Sequence, residues 1–349
     1  MESKNKKYYV YISILCIFML LCIMMSASVG SSSITVLDSM RLMVSKIPFM
    51  DKIIDTSDLK QVYEVIVWKV RLPRILQSSL VGGALAVVGC TFQAVFRNSL
   101  ADPHILGISS GASLGATLAI LSGLTLNFFG MGIVSISAFA GAILTVILVY
   151  KVGGLGRKVI VSNLLLTGTA ISTMLSSVIS LLMIYNREQL EKVYLWTLGS
   201  FSSASWNKVI FLSIVSLLSV CVLFMFSRDL NVILTGDEAA ASLGIDTVRV
   251  KNILIIISAF LVAASVSVSG TIGFVGLIIP HCMRLLVGSD HRILLPFSYF
   301  GGASFMIICD TIARTAAQPT EIPVGVITAF FGAPYFIYLL YRNYKNRNF

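Results

Sequence analysis

Residues 75–96 read ILQSSLVGGALAVVGCTFQAVF and contain no charged side chain. A helix rises roughly 1.5 Å per residue, so a run of this length matches the about 30 Å hydrocarbon core of a bilayer. The same signal recurs on both sides of it. Residues 8–29, 160–186, 209–227 and 322–341 are also free of charge. Residues 105–150 form a longer uncharged stretch that breaks near Gly123, Asn127 and Gly130, where turn formers cluster, and so reads as two helices. The run from Asn252 to Met283 breaks at Ser269, Gly270 and Thr271, and residues 293–313 are apolar apart from Asp310. The pattern predicts an all-α, polytopic membrane protein of ten transmembrane helices, the eighth of which, about 272–287, contains Arg284. Composition agrees: 56% of the 349 residues are hydrophobic and 12% charged, against roughly 25% charged in soluble domains.

An even number of spans puts both termini on one side, and the distribution of Lys and Arg orients them. With the termini cytoplasmic, the inner segments hold 15 Lys and Arg against 7 Asp and Glu, and the outer segments 11 against 9. This bias accounts for the net charge of +10. A nucleic-acid binder needs its basic charge gathered on a soluble face, and no segment here is long enough to build one. Met1–Lys7 is basic and precedes an apolar run too long for a usual signal peptide, so an uncleaved first helix is expected. The outer loop, about 30–70, includes an amphipathic piece from Ile34 to Ile47 suited to the membrane surface. It is too short for an independent domain, so residues 1–349 are read as one membrane domain, with an inner loop at about 228–250.

Cys16, Cys22, Cys90, Cys221, Cys282 and Cys309 all lie in apolar segments without a C-x-x-C pair, and His104, His281 and His291 are scattered. Structural roles are expected for them, with no metal site and no cofactor. Gly107-Ile108-Ser109-Ser110-Gly111 matches the letters of the G-x-S-x-G nucleophile elbow, but that motif needs a strand before it and an acid and a His beside it. Gly107, Gly111 and Gly115 instead make a small-residue stripe that brings two helix backbones close, as do Gly325, Ala329 and Ala333 in the last helix. Gly270, Gly273 and Gly276, spaced by three and followed by Pro280, suggest a broken or half helix, or a tight turn. No G-x-x-x-x-G-K-[ST] loop occurs, so no catalytic residue is assigned and nucleotide hydrolysis is expected on another chain. Titratable groups are nearly absent from the spans, which suits a conduit driven by partners better than an ion-coupled carrier.

Lys69, Arg71, Arg74 and Arg314 run against the charge rule, because they sit at the outer ends of spans two and nine. Snorkelling explains any one of them. Pro73 restricts its own backbone and that of Leu72, so Arg71 and Arg74 are held in fixed relation and suit bidentate pairing with carboxylates.

Several blocks then identify a family. Arg71-Leu72-Pro73-Arg74, Val81-Gly82-Gly83-Ala84-Leu85-Ala86, Gln93, residues 96–103 and 106–112, residues 269–281, and Glu321-Ile322-Pro323-Val324-Gly325 through Gly332-Ala333-Pro334 closely resemble the FecCD-type permeases. These are the membrane subunits of importers for iron siderophores, haem and vitamin B12. Ser99 departs from the family's usual Pro, which implies a looser inner turn. The resemblance implies a fold like that of the vitamin B12 importer permease and a homodimer, or a pair with a paralogous permease, with the pathway on its axis. It also implies two ATP-binding-cassette ATPase subunits inside, an extracytoplasmic substrate-binding protein outside, and a place in the lipid of the cytoplasmic membrane. By the same resemblance, spans five and ten line the path and Val161 and Ser162 fall at an inner gate. Gly236, Asp237, Glu238, Ala240, Leu243 and Gly244 belong to a short helix that docks into the ATPase, where the acids also complement the helix N-terminus. Arg71, Arg74 and Arg314 meet acidic residues of the binding protein. Iron siderophores are the first expected substrate, ahead of cobalamin and haem. A proton-coupled secondary transporter and, further off, an intramembrane enzyme are the rival classes.

Overall fold

The computed structural model describes residues 2–30, 34–46, 56, 59–128, 130–153 and 161–347, with the side chains of all of these except 2–7, 161–162, 340 and 342–347. Among the described residues, seven helices are long and apolar enough to cross a membrane, and three shorter apolar helices complete the expected ten. In chain order they are α1 (Glu2–Ser28), α2 (Gln61–Val95), α3 (Ile108–Ser122), α4 (Ile133–Gly153), α5 (Val161–Tyr185), α6 (Trp206–Met225), α7 (Thr247–Ser269), α8 (Val275–Val287), α9 (His291–Thr315) and α10 (Val324–Arg347).

The breaks fall where glycine permits a left-handed backbone. Gly123 ends α3 at φ 64°, and a two-stranded hairpin, Asn127–Phe128 against Met131–Gly132, turns through Gly130 into α4. Gly270, at φ 71°, ends α7. Residues 270–274 then run without helix into α8, so the spaced glycines mark a half helix whose first part is irregular. Arg284 in α8 donates to Gln93 Oε1 at 2.9 Å, which gives the charge in the eighth span a polar partner.

α2 is the central post, packed against α6, α7, α8 and α9. Lipid tails are as apolar as leucine, so helices in a membrane gain little from burying bulk and gain more from close approach. A Cβ on Gly89 would overlap the backbone of Gly276 in α8, which shows how tightly the two helices meet. The stripe on α3 does what its spacing predicts, since Gly111 and Gly115 lie against the α4 backbone at Gly141 and Ser137.

α2 starts at Gln61, earlier than its uncharged run, so the end of the stretch read as outer loop is helical, with Ile66–Arg71 wound as a π-helix. The amphipathic piece forms a helix at Val36–Val44, capped by the Thr35 hydroxyl, which accepts from Asp38 N at 3.1 Å; Ile47 lies outside the described residues. Its buried Leu42 packs with Ile34 and Val67, and Trp68 Nε1 donates to Leu42 O at 2.9 Å, tying the surface helix to α2.

Candidate functional sites

Arg71 and Arg74 are one helical turn apart on α2, at the face where α1 and α9 end and α10 begins. The Arg74 guanidinium lies between two acids. Its Nε donates to both oxygens of Asp310 at 3.0 Å and Nη2 to Oδ1 at 2.9 Å, while Nη1 reaches the two oxygens of Glu321 at 2.9 and 3.0 Å. Asp310 is 1% exposed and Arg74 8%. Arg71 Nη1 donates to the carbonyls of Ala27 and Ser28 at 2.6 and 2.9 Å. Arg314 Nη2 donates to the Ser26 carbonyl and to Ser26 Oγ. The three arginines therefore bind the end of α1, α2, α9 and the approach to α10 into one rim. They line an open depression of about 610 Å³ together with Gln318 and Glu321.

Bidentate pairing with carboxylates is thus present, but its partners are internal. The two carboxylates offset the desolvation of the Arg74 guanidinium, which is costly to bury without a counter-charge. Reversing Arg74 would set a carboxylate against two others, so such a variant loses the rim itself along with any docking.

The opposite face carries the helix Asp237–Ser242, which starts after Gly236 at φ 127°. Asp237 is anchored from two directions: Lys251 Nζ in α7 lies 2.7 and 2.9 Å from its oxygens, and Arg97 Nη2 3.1 Å away. Ala240 is fully buried, so it packs the helix down and does not belong to its surface. The exposed side is made by Glu238, Ala239, Ala241, Leu243 and Gly244, with Leu243 71% exposed. Close by, the Asp290 carboxyl caps α9 and is held at about 2 by hydrogen bonds from Arg292, partly opposed by burial and aided by Asn231. Val161 and Ser162 open α5, and their side chains lie outside the described residues.

Between the two faces, the irregular segment 270–274 is held by side chains whose role composition does not reveal. His104 Nε2 meets the Ile272 carbonyl at 2.8 Å, and Thr271 Oγ1 donates to Thr197 O. A carbonyl only accepts, so Nε2 carries the proton, and Nδ1 accepts from Ser109 Oγ. The serine of the elbow-like motif does meet a histidine, but that histidine supports a broken helix, and Asp102 Oδ1 is 4.0 Å from Nε2. A cavity of about 480 Å³ opens beside this crossing, lined by Ser109, Ser113, Ser176, Ser180 and Thr271.

The feature sequence reading missed is on α5. Thr169, Thr173, Ser176, Ser177 and Ser180 are exposed and recur every three or four residues on one face. α5 also exposes Leu166, Met174, Val178, Leu181 and Ile184, so the hydroxyls form a stripe on an otherwise apolar surface, whereas the large exposed residues of α6 include Ile210, Ile214, Leu217 and Leu218. Their spacing was the available signal, obscured by the apolar residues between them.

This architecture is shared with a class of membrane transporter. It superimposes on a solved structure of a metal-chelate type ABC transporter in an inward-facing conformation with a TM-score of 0.81 and 32% identity, covering 95% of this chain and 99% of that one. The fold is that of an ABC importer permease. The chain belongs to the FecCD transport family, which it matches over residues 17–342. It is 42% identical over 277 residues to the cobalamin import system permease protein BtuC of Halobacterium salinarum, covering 79% of this chain and 73% of that one. It is 40% identical over 288 residues to the hemin transport system permease protein HmuU of Yersinia pestis, covering 81% and 85%. The protein is accordingly a multi-pass membrane permease subunit of an ABC importer.

Proposed function

We propose that this subunit moves iron–siderophore complexes into the cytoplasm as a homodimer. Two ATPase chains sit on its Asp237 face and a substrate-binding protein on its arginine face. The observation that carries the reading is the exposed hydroxyl stripe of α5. Although four of these hydroxyls donate to carbonyls of their own helix, their oxygens keep lone pairs that gain more beside water or another protein than beside lipid. A second copy packed across α5 encloses that row and makes it the wall of a path. The basic bias supports a cytoplasmic position for both termini and for the Asp237 face.

On the arginine face, a carboxylate from the binding protein competes with Glu321 for Arg74 Nη1, since Glu321 is the more exposed of the two internal acids. Rim charges of this kind guide encounter and orientation, and their effect weakens as salt rises. On the other face, Leu243 and Glu238 present a small surface to the ATPase. The metal-chelate transporter likeness supports a chelate as cargo, with haem and cobalamin as the next candidates. Proton coupling is disfavoured by the state of Asp310, whose carboxylate is fixed by Arg74 and lacks the freedom a proton carrier needs.

Competition uptake of ferric siderophore, haem and cobalamin in a strain lacking this chain tests the proposal. The expected result is loss of vanadate-sensitive uptake of the siderophore alone. Unchanged uptake of all three overturns it.

A further inference from the structure

Beside the arginine depression lies a second cavity, about 670 Å³ and open to the same face, between the α3–α4 connection, the segment joining α5 to α6, and the start of α10. Its polar wall includes Lys192, Lys208, Ser200, Ser202, Ser203 and Ser269. Glu321 lies on the edge shared by the two cavities, but its carboxylate is already engaged by Arg74.

Lys208 is the unusual member. It stands in the first turn of α6, where the helix dipole favours anions and opposes cations. It is 8% exposed, and its Nζ donates to Ser203 O at 2.9 Å and Ser203 Oγ at 2.8 Å, both neutral acceptors. Among the described residues it makes no ion pair with a carboxylate. A lysine that merely anchors a helix end extends its ammonium toward headgroups. This one turns inward, spends two of its three protons on the 200–205 turn and leaves the third for the cavity. A buried cation at the positive end of a helix, next to exposed Lys192 and a set of hydroxyl donors, is strongly unfavourable until an anion joins it. The Arg74 site supplies its own acids; the Lys208 site does not.

We propose that this cavity is an anion subsite of the outer vestibule, which takes a carboxylate-type group of an arriving solute between Lys208, Lys192 and the hydroxyls of Ser202 and Ser203, the Ser200 hydroxyl being donated to Ser202. The inference rests on the import reading and deepens it. The permease itself favours cargo with acidic groups, separately from any choice made by a binding protein. Lys208 is the binding residue, and Lys192, being exposed, contributes less and more salt-dependently.

The test uses the full chain in phosphatidylcholine nanodiscs, titrated with propane-1,2,3-tricarboxylate and with the corresponding uncharged triamide. The fluorescence of Trp196, which lines the cavity, is the readout, and Trp196→Phe identifies its share. Saturable quenching by the tricarboxylate and none by the triamide is expected. Lys208→Met, which keeps the stem and removes the charge, should weaken binding about tenfold or more, while Lys208→Arg retains it and Lys192→Gln weakens it less. Equal responses to the two probes, no saturation, or undiminished binding in folded Lys208→Met overturns the proposal. The probe comparison needs no variant, so it decides even if Lys208→Met fails to fold. Uptake is not part of the readout, so a failure here leaves the import reading standing, and a failure of that reading leaves the binding result intact.

Discussion

Helices α2 and α5 have the same mean hydropathy, yet 83% of the apolar window of α2 is buried within the protein against 17% for α5. Hydropathy decides that both enter the membrane, and it says nothing about where in the membrane protein they go. What separates them is the distribution of small and polar groups. α2 meets its neighbours through glycine, as at Gly89, and carries a guanidinium matched by acids on α9 and before α10. α5 instead carries a row of exposed hydroxyls at Thr169, Thr173, Ser176, Ser177 and Ser180. One helix is finished by this chain, and the other awaits something outside it.

The sharpest way to break that contrast is at Asp310. Asp310→Ala leaves Arg74 buried with only Glu321, and loss of one partner of a buried pair costs about 3–5 kcal/mol. Thermal unfolding in detergent should show a large drop, and Arg74→Glu, which adds a third acid, should yield no folded protein. A wild-type melting profile for either would mean that the rim is peripheral to the fold. Next in size, Gly89→Leu drives a side chain into the α8 backbone and should destabilise by about 1–3 kcal/mol or more through overpacking. The matching substitution on α5, Thr173→Leu, should leave the melting profile within about 0.5 kcal/mol, because Thr173 is exposed among the described residues.

On the Asp237 face, Leu243→Glu should abolish ATP-driven uptake with an equally small change in stability. Ala240→Glu should fail by unfolding, and the two together separate surface from packing. Normal uptake by Leu243→Glu would remove the ATPase from this surface. The smallest perturbation sharpens the comparison most finely: Ser177→Cys should react with a water-soluble maleimide and Leu217→Cys on α6 should not. Equal labelling of both would deny α5 its watery side.

The spans and their breaks were legible because each rests on local chemistry. A run without charge needs no partner to be recognised, and Gly123 and Gly270 end helices through their own backbone freedom. The rim was half legible. Arg74 stood out as a charge at a span end, and Asp310 as the one charge in the apolar run 293–313. That they pair with one another depends on contacts between residues 236 positions apart, which no periodicity encodes. Ala240 shows the same limit at short range: its place in a six-residue helix is plain, but a helix of under two turns carries too little pattern to tell which side faces in. His104 Nε2 meets the Ile272 carbonyl, and that partner, in a segment bent by Gly270, could be known only from the folded chain.

Four of the exposed hydroxyls of α5 are already occupied. Thr169, Thr173, Ser177 and Ser180 each donate to a carbonyl of their own helix, at 2.9, 3.0, 2.9 and 2.9 Å. In the proposed dimer, these four would turn toward the path only lone pairs, with their protons withdrawn, able to meet water but not to grip the oxygens of a chelate. Passage through a conduit demands sites that are shallow and many, since one deep well becomes a trap. On that proposal a wall of this kind would have low friction: it would shorten the dwell time of the cargo at every level and leave the turnover rate to the parts that open and close the ends. A single uncommitted donor, as in Ser177→Lys, would act as a brake, slowing release more than entry.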